Sequence, residues 1–164
     1  MDVREATVDD ARAIETVRVH GWRVAYRHVF PAAALDALPV DETRWRHRLA
    51  EPPPGWAIVV AEDEGAVVGF AATGPSRDGE AIGELYAIYV DPSRWSAGAG
   101  RALLARAERE LAREHAEATL WVLEANDRAR RFYELAGWLP DGAVKTEERL
   151  GVRATEVRYR KRLF

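Results

Sequence analysis

Residues 90–104 hold the residue types that point most clearly to chemistry. They read Val-Asp-Pro-Ser-Arg-Trp-Ser-Ala-Gly-Ala-Gly-Arg-Ala-Leu-Leu, a strand end followed by a turn of small residues and the start of a helix. The first amides of a helix lack acceptors and lie at the positive end of its dipole. Gly98 and Gly100 let an anion approach that backbone, and such an anion would rationalise Arg101 in the first turn. The segment predicts a phosphate-bearing ligand; the alternative is a glycine-rich connection that binds nothing.

Two other phosphate-binding motifs do not fit this segment. A nucleotide P-loop needs a Gly-Lys pair, and the sequence has none. A dinucleotide fingerprint needs a third glycine and opens the first βαβ unit, whereas Leu103 stands at that third position, after three predicted strands.

Composition excludes several classes of protein. The 164 residues include 24 basic and 27 acidic side chains, a formal net charge of −3, which argues against a nucleic-acid-binding module. The absence of cysteine excludes disulfides, thiolate catalysis and cysteine-ligated zinc. The four histidines are scattered without metal-binding spacing, so we expect no metal site.

Nothing in the sequence suggests a membrane protein or a second domain. Its apolar runs are shorter than the ~20 residues of a membrane helix, and the N-terminus lacks the layout of a signal peptide. We therefore expect a cytoplasmic protein with one domain over residues 1–164 and no membrane partner.

A mixed arrangement of helices and strands must position the glycine-bearing segment. Helical spacing predicts a first helix that begins after Thr7 and bends or ends at Gly21. Further helices are predicted at 32–37, at 41–50, near Gly98 and from Asn126. Runs rich in β-formers predict strands at 56–61, 66–72, 84–90, 119–123 and 155–163. This order indicates an α+β (mixed α/β) layer fold.

Two motifs resemble a known family. Trp95-x-x-Gly98-x-Gly100 is similar to the acetyl-CoA pyrophosphate loop of the GNAT superfamily of N-acetyltransferases, although Trp95 departs from the family's Gln or Arg. The family's second signature begins 26 residues after Gly100 and reads Asn126-x-x-Ala129-x-x-Phe132-Tyr133-Glu134-x-x-Gly137-Trp138. The order of elements agrees over the whole chain, and the motifs match over residues 84–138.

The resemblance implies a fold and a cosubstrate. The family has a mostly antiparallel central sheet, flanked by helices and splayed between its fourth and fifth strands, here 84–90 and 119–125. The pantetheine arm of acetyl-CoA would lie in that gap along β-strand residues Ile88, Tyr89 and Val90, and Asn126 would reach it. The pyrophosphate would bind the backbone amides of Ser96, Ala97, Gly98, Ala99, Gly100 and Arg101.

The resemblance also assigns roles in acetyl transfer. Tyr133 would be the general acid that protonates the leaving thiolate, and Glu84, eleven residues before Trp95, would be the base, directly or through water. Alternatively, Tyr133 is a core aromatic and Glu84 a solvated carboxylate; Glu124 is a weaker rival base. Strand alternation predicts Glu84, Tyr86, Ile88 and Val90 on one face.

The first helices are expected to bind the acceptor. Trp22 and Tyr26 lie four residues apart on one helical face, where an aromatic pair could hold a cationic amine, or could simply be core. We expect a small-molecule amine rather than a protein or peptide amine, because the sequence shows no extended charged docking track.

The sequence thus favours an N-acetyltransferase that acts by direct attack of a primary amine in a ternary complex. Two alternatives are a catalytically silent acyl-CoA-binding module, which would not need Tyr133 or Glu84, and a structural partner domain. A homodimer is compatible with an exposed sheet edge formed by residues 140–155 and the last strand, 155–163.

Overall fold

Seven strands form one sheet with helices on both faces, in a computed structural model that describes all 164 residues. None of the helices has both the length and the apolar character needed to cross a membrane. In chain order the elements are β1 (Asp2–Glu5), α1 (Ala11–Ala25), α2 (Ala32–Asp36), α3 (Thr43–Ala50), β2 (Ala57–Asp63), β3 (Ala66–Pro75), β4 (Gly83–Val90), α4 (Ala99–Ala112), β5 (Glu117–Leu123), α5 (Asp127–Leu135), β6 (Leu139–Arg149) and β7 (Val152–Arg162).

The sheet splits between its fourth and fifth strands. The strand order is β1-β2-β3-β4-β5-β7-β6, and every pair is antiparallel except β4 with β5. β4 and β5 pair at only three positions, Gly83 to Leu85 opposite Ala118 to Leu120. Beyond them both strands continue, to Val90 and to Leu123, without pairing with each other. The predicted mixed fold, with a splayed and mostly antiparallel sheet, is confirmed.

Both sides of the sheet are packed. On one face α4 contributes Leu103 and Leu111 to a cluster that also contains Leu85 and Leu120. On the other face α1 and α3 cover Phe70 and its neighbours on β2 and β3. These two layers fix β4 in the middle of the molecule, next to the split.

A bulge in β4 changes which side chains share a face. Ala87 pairs with Ala72 of β3, but Leu85 already pairs with Thr73, so Tyr86 is an extra residue. The alternation of side chains therefore reverses at Tyr86. Ile88 and Val90 pack on the α4 side with Leu85, whereas Tyr86 packs with Ala87 and Tyr89 on the α1 side. The predicted common face of Glu84, Tyr86, Ile88 and Val90 is wrong.

Three further predictions about the elements are corrected. The strands β1 and β6 were not predicted, because β1 has four residues and β6 contains Pro140, Gly142 and many charges. The first helix runs through Gly21 without ending, since this buried position lies against the Tyr89 ring. The last strand is not a sheet edge: β7 lies between β5 and β6, and β6 forms the edge.

Candidate active site

A cleft of about 870 Å³ lies at the split between β4 and β5. It collects most of the residues predicted for the site: Trp22, Tyr26, Ile88, Tyr89, Val90, Ser96, Gly98, Gly100, Arg101, Asn126 and Tyr133. Three predicted residues do not line it. Ala97 is exposed on the loop, Ala99 is buried at the start of α4, and Glu84 is fully buried.

The loop before α4 presents a row of free backbone amides to this cleft. Ser96 and Gly98 have left-handed backbone conformations, with φ of 66° and 92°. No N–H group of residues 96–101 donates a hydrogen bond within the chain. A side chain at Gly98 would meet no atom within 4 Å, so the space above the loop is open. Consecutive free amides at a helix N-terminus suit a diphosphate group.

Trp95 holds this loop against the sheet. Its Nε1–H donates a hydrogen bond at 2.9 Å to the carbonyl of Val90, the last residue of β4. The Arg128 guanidinium lies 3.9 Å from the centre of the Trp95 ring, a cation–π contact between the loop and α5. Trp95 therefore supplies an anchor at the position where it departs from the family pattern. Arg101 and Arg131 also line the cleft and add positive charge, whereas the charge of Arg94 is paired with Asp63 at 2.6 Å.

The split leaves hydrogen-bonding groups of β4 free. Asp91 N–H donates to the Val68 carbonyl, so alternate residues of the antiparallel β3–β4 pair bond to β3. Ile88 and Val90 lie at the intervening positions, and their amides face the gap. The Val90 carbonyl accepts from Trp95, which leaves the Val90 N–H and both Ile88 backbone groups for a ligand. An extended amide-containing chain fits there like an added strand.

Tyr133 on α5 faces the cleft with an unused hydroxyl. The residue is 8% exposed, and its hydroxyl makes no hydrogen bond within the chain, although the ring packs beside Phe132 and Tyr159. Burial raises the pKa of the Tyr133 phenol above its ordinary value, with a smaller contribution from Tyr89. The phenol is therefore neutral at physiological pH and retains a proton to donate.

Asn126 caps α5 and leaves half of its amide free. Its Oδ1 accepts from the Ala129 N–H at 3.1 Å, and Asn126 is the N-cap residue of the helix. The Asn126 side-chain NH₂ group lies near the Tyr26 hydroxyl and makes no close hydrogen bond within the chain. The cap fixes the direction of the helix that carries Tyr133, so the Asn126 side chain has a structural role together with its predicted binding role.

Glu84 lies behind the cleft wall, next to the three-residue pairing of β4 and β5. Its carboxylate accepts from the Arg77 backbone N–H at 2.9 Å and from the Arg77 guanidinium at 3.0 and 2.5 Å. The residue is 0% exposed. Direct contact with an acceptor amine does not fit this arrangement, because burial and Arg77 occupy the carboxylate. Only the water-mediated form of the predicted role is compatible with the geometry.

Aromatic residues of α1 and of the turn that follows it form one wall of the cleft. Trp22 donates from Nε1 to the Tyr89 hydroxyl at 2.9 Å and meets Tyr26 edge-on, with ring centroids 4.9 Å apart. Trp22 also stacks on Phe30 at 5.6 Å. Burial raises the pKa of Tyr26 well above its ordinary value, so this wall is neutral. Trp22 and Tyr26 thus combine core packing with a surface toward the cleft.

Sequence reasoning missed the opposite wall, which is polar. It consists of Trp121, Lys145, Glu147, Arg149 and Glu156, contributed by β5, β6 and β7. The alternation of Lys145, Glu147 and Arg149 along the chain was a signal for one charged strand face. These three residues share a face only because β6 is a strand paired with β7.

The sequence profile of the Acetyltransferase (GNAT) family matches residues 19–138. The chain belongs to this family. It is also similar to the uncharacterized N-acetyltransferase YuaI of Bacillus subtilis, with 38% identity over 162 residues, covering 94% of this chain and 89% of that protein. The chain is therefore an acyltransferase of the GNAT type.

Solved structures share the fold at low sequence identity. The PaiA N-acetyltransferase from Thermoplasma acidophilum, crystallised in complex with coenzyme A, superposes with a TM-score of 0.76, at 17% identity and with 98% of each chain covered. The ribosomal-protein-alanine N-acetyltransferase from Brucella melitensis gives a TM-score of 0.77, at 23% identity and with 99% of each chain covered. The splayed sheet of this GNAT chain is thus the architecture of these enzymes.

Proposed function

We propose that this GNAT chain transfers the acetyl group of acetyl-CoA to a primary amine by direct attack in a ternary complex. The observation that carries the proposal is the continuity of the free backbone amides. They run from Ile88 and Val90 in the gap to the loop of residues 96–101, with the Tyr133 hydroxyl in the same cleft. This surface matches an extended pantetheine arm that ends in a pyrophosphate. The structural neighbour crystallised with coenzyme A supports the choice of ligand.

Each part of the cleft has a proposed task. The amides of Ile88 and Val90 bind the pantetheine arm, and Asn126 adds its free amide. The amides of residues 96–101 bind the pyrophosphate, assisted by Arg101. Acetyl-CoA supplies an activated thioester when bound, and the protein orients it with the carbonyl toward the acceptor side.

Tyr133 is proposed to protonate the leaving group. A carbon–nitrogen bond forms as the amine attacks the acetyl carbon, and the carbon–sulfur bond breaks. The sulfur leaves with the electron pair of that bond and takes the phenolic proton of Tyr133. A phenol that is neutral and lacks an internal hydrogen-bond partner suits this step.

Glu84 is proposed to accept the amine proton through a chain of water molecules. Thr119 lies directly across from Glu84 in the parallel pair, and its buried hydroxyl has no hydrogen-bond partner within the chain. A water molecule beside Thr119 would satisfy this hydroxyl and extend the reach of the carboxylate. Trp22 and Tyr26 are proposed to contact the acceptor, which we infer to be a small molecule.

Binding of acetyl-CoA is the first test. A ligand that binds only the native state stabilises it by about 2.7 kcal/mol at 100 times Kd. We expect acetyl-CoA to raise the Tm and ATP or NAD to do much less. Gly98→Val should abolish this shift, because a branched side chain disfavours the left-handed backbone and covers the amides.

The matched control is Gly142→Val. Gly142 has a nearly identical φ of 91° and the same open surroundings, but it lies in β6 outside the cleft lining. It should cost similar stability and keep the acetyl-CoA shift. Equal stabilisation by ATP, or an unchanged shift in Gly98→Val, would contradict the proposed cosubstrate site.

Tyr133→Phe tests the general acid. We expect kcat to fall by roughly 10²–10⁴-fold, with KM for acetyl-CoA nearly unchanged, because the lost proton donation acts only in the transition state. Tyr159→Phe is the control, since its hydroxyl donates to Glu134 at 2.7 Å and accepts from Arg130 at 3.0 Å away from the cleft. That variant should lose stability rather than kcat. Full activity of Tyr133→Phe, at a pH where chemistry limits the rate, would return Tyr133 to a packing role.

Glu84→Gln tests the water-mediated base. Its kcat/KM should fall most below the pKa of the acceptor amine and recover as pH rises, since a neutral amine no longer needs a base. Arg77→Gln breaks the same ion pair but keeps the carboxylate, so it controls for structural damage. If both variants lose the same activity at every pH, Glu84 serves to hold the β3–β4 connection and not to accept a proton.

A further inference from the structure

The polar wall of the cleft contains a buried carboxylate with an unsatisfied oxygen. Glu156 of β7 is 8% exposed and lines the cleft, and its Oε2 has no hydrogen-bond partner within the chain. An unsatisfied buried acceptor of this kind is costly, and native structures usually provide a partner. Apart from the Lys145 ammonium at 3.4 Å, no donor of the chain lies at this oxygen, so it can accept a hydrogen bond from a ligand or from water in the cleft.

Two cations lie beside Glu156 at ion-pair distance but make no hydrogen bond to it. Lys145 Nζ lies 3.4 Å from Oε2, and an Arg149 terminal nitrogen lies 3.5 Å from Oε1. Arg158, a residue of the same strand β7, instead reaches the Asp141 carboxylate at 2.7 Å. The loose contacts around Glu156 thus differ from a fully formed structural ion pair.

Both cations have donors to spare. The Lys145 ammonium makes no hydrogen bond within the chain and lies 4.4 Å from the centre of the Trp121 ring. Arg149 donates one hydrogen bond, to Glu147 at 2.9 Å, which leaves the other side of its guanidinium free. Lys145, Arg149, Glu147 and Glu156 together carry no net formal charge. The wall is therefore complementary to a ligand that has one group of each sign.

We propose that this wall is the acceptor site and that it selects a zwitterionic amine of the α-amino acid class. The ammonium of the acceptor binds Glu156, and its carboxylate binds Arg149 and Lys145. Because both cations lie within 3.5 Å of the Glu156 carboxylate, the two groups of the ligand must also be close together, as they are on one carbon atom. The inference rests on the proposed acetyl transfer and deepens it by naming the acceptor.

The same geometry disfavours two other classes of amine. A polyamine carries several positive charges and no anion, so it offers Glu156 an ammonium but offers Lys145 and Arg149 no carboxylate, and its further charges would lie near these two cations. The N-terminal amine of a peptide has no carboxylate on the same carbon, so it would bring no anion to the unused donors of Lys145 and Arg149. These amines serve as comparison substrates in the test.

A matched substrate series tests the proposal with the intact chain and acetyl-CoA. For each of several side chains, the free amino acid is compared with its amide and with the amine that lacks the carboxyl group, alongside spermidine and a short peptide. Release of coenzyme A is read with a thiol reagent, since the chain has no cysteine. We expect kcat/KM of the preferred amino acid to exceed that of its amide and of its decarboxylated amine by roughly 10-fold to 100-fold, the effect of a charged hydrogen bond.

Two variants assign this preference to residues. Arg149→Gln should raise KM for the amino acid and bring its kcat/KM close to that of its amide. Glu156→Gln should raise KM for both acceptors while KM for acetyl-CoA stays constant. Glu148→Gln and Arg153→Gln are the controls, because these residues are exposed on the same two strands and lie outside the cleft lining. They should change none of these constants.

The outcomes separate this inference from the proposed function. Acetylation of spermidine, a peptide or the amides with efficiency equal to that of the amino acids would overturn the zwitterion site and leave acetyl transfer intact. A preference for amino acids that survives in Arg149→Gln would also overturn it. If the chain binds acetyl-CoA but acetylates no amine of any class, both the inference and the proposed function fail.

Discussion

The early end of pairing between β4 and β5 is the constraint on which the site depends. Two parallel strands that stayed paired would leave no opening in the sheet. Here the register stops after Leu85, and the Val90 N–H and both backbone groups of Ile88 are left without partners where β4 lines the cleft. Unpaired backbone groups away from water are costly, so this gap is stable only as a site that water or a ligand fills. The binding surface is therefore an incomplete part of the sheet itself.

Neighbouring elements hold the gap open and place the binding and reactive groups along it. Trp95 bonds the end of β4 and directs the glycine-bearing loop across the mouth of the gap. The Asn126 cap starts α5 on the far side and places Tyr133 toward the cleft. The bulge at Tyr86 turns Ile88 and Val90 toward α4 and leaves Tyr89 to meet Trp22. Each contact is local, and together they define the side of the cleft proposed for acetyl-CoA and the side proposed for the acceptor amine.

The sequence predicted the parts of this arrangement that are encoded by short motifs. The helix start at Gly98, the N-cap at Asn126 and the strand over 84–90 all follow from residues adjacent in the chain. The surroundings of Glu84 could not be predicted, because they depend on Arg77 folding back from a loop. Because of the bulge at Tyr86, side chains along β4 do not follow the simple two-residue alternation that the sequence suggests. The wall with Lys145 and Glu156 arises only when β6 pairs with β7, and the proline and glycine in β6 hide that strand.

Amide hydrogen exchange with and without acetyl-CoA tests most directly whether the gap in the sheet is the cosubstrate site. The two gap-facing amides of β4, Ile88 and Val90, have no partner in the free chain and should exchange readily, whereas Ala87 and Tyr89 at the intervening positions bond to β3. We predict that acetyl-CoA slows exchange at Ile88, at Val90 and across residues 96–101, while Gly98→Val shows no slowing. Protection confined to other parts of the chain, with the amides of Ile88 and Val90 unchanged, would contradict the account.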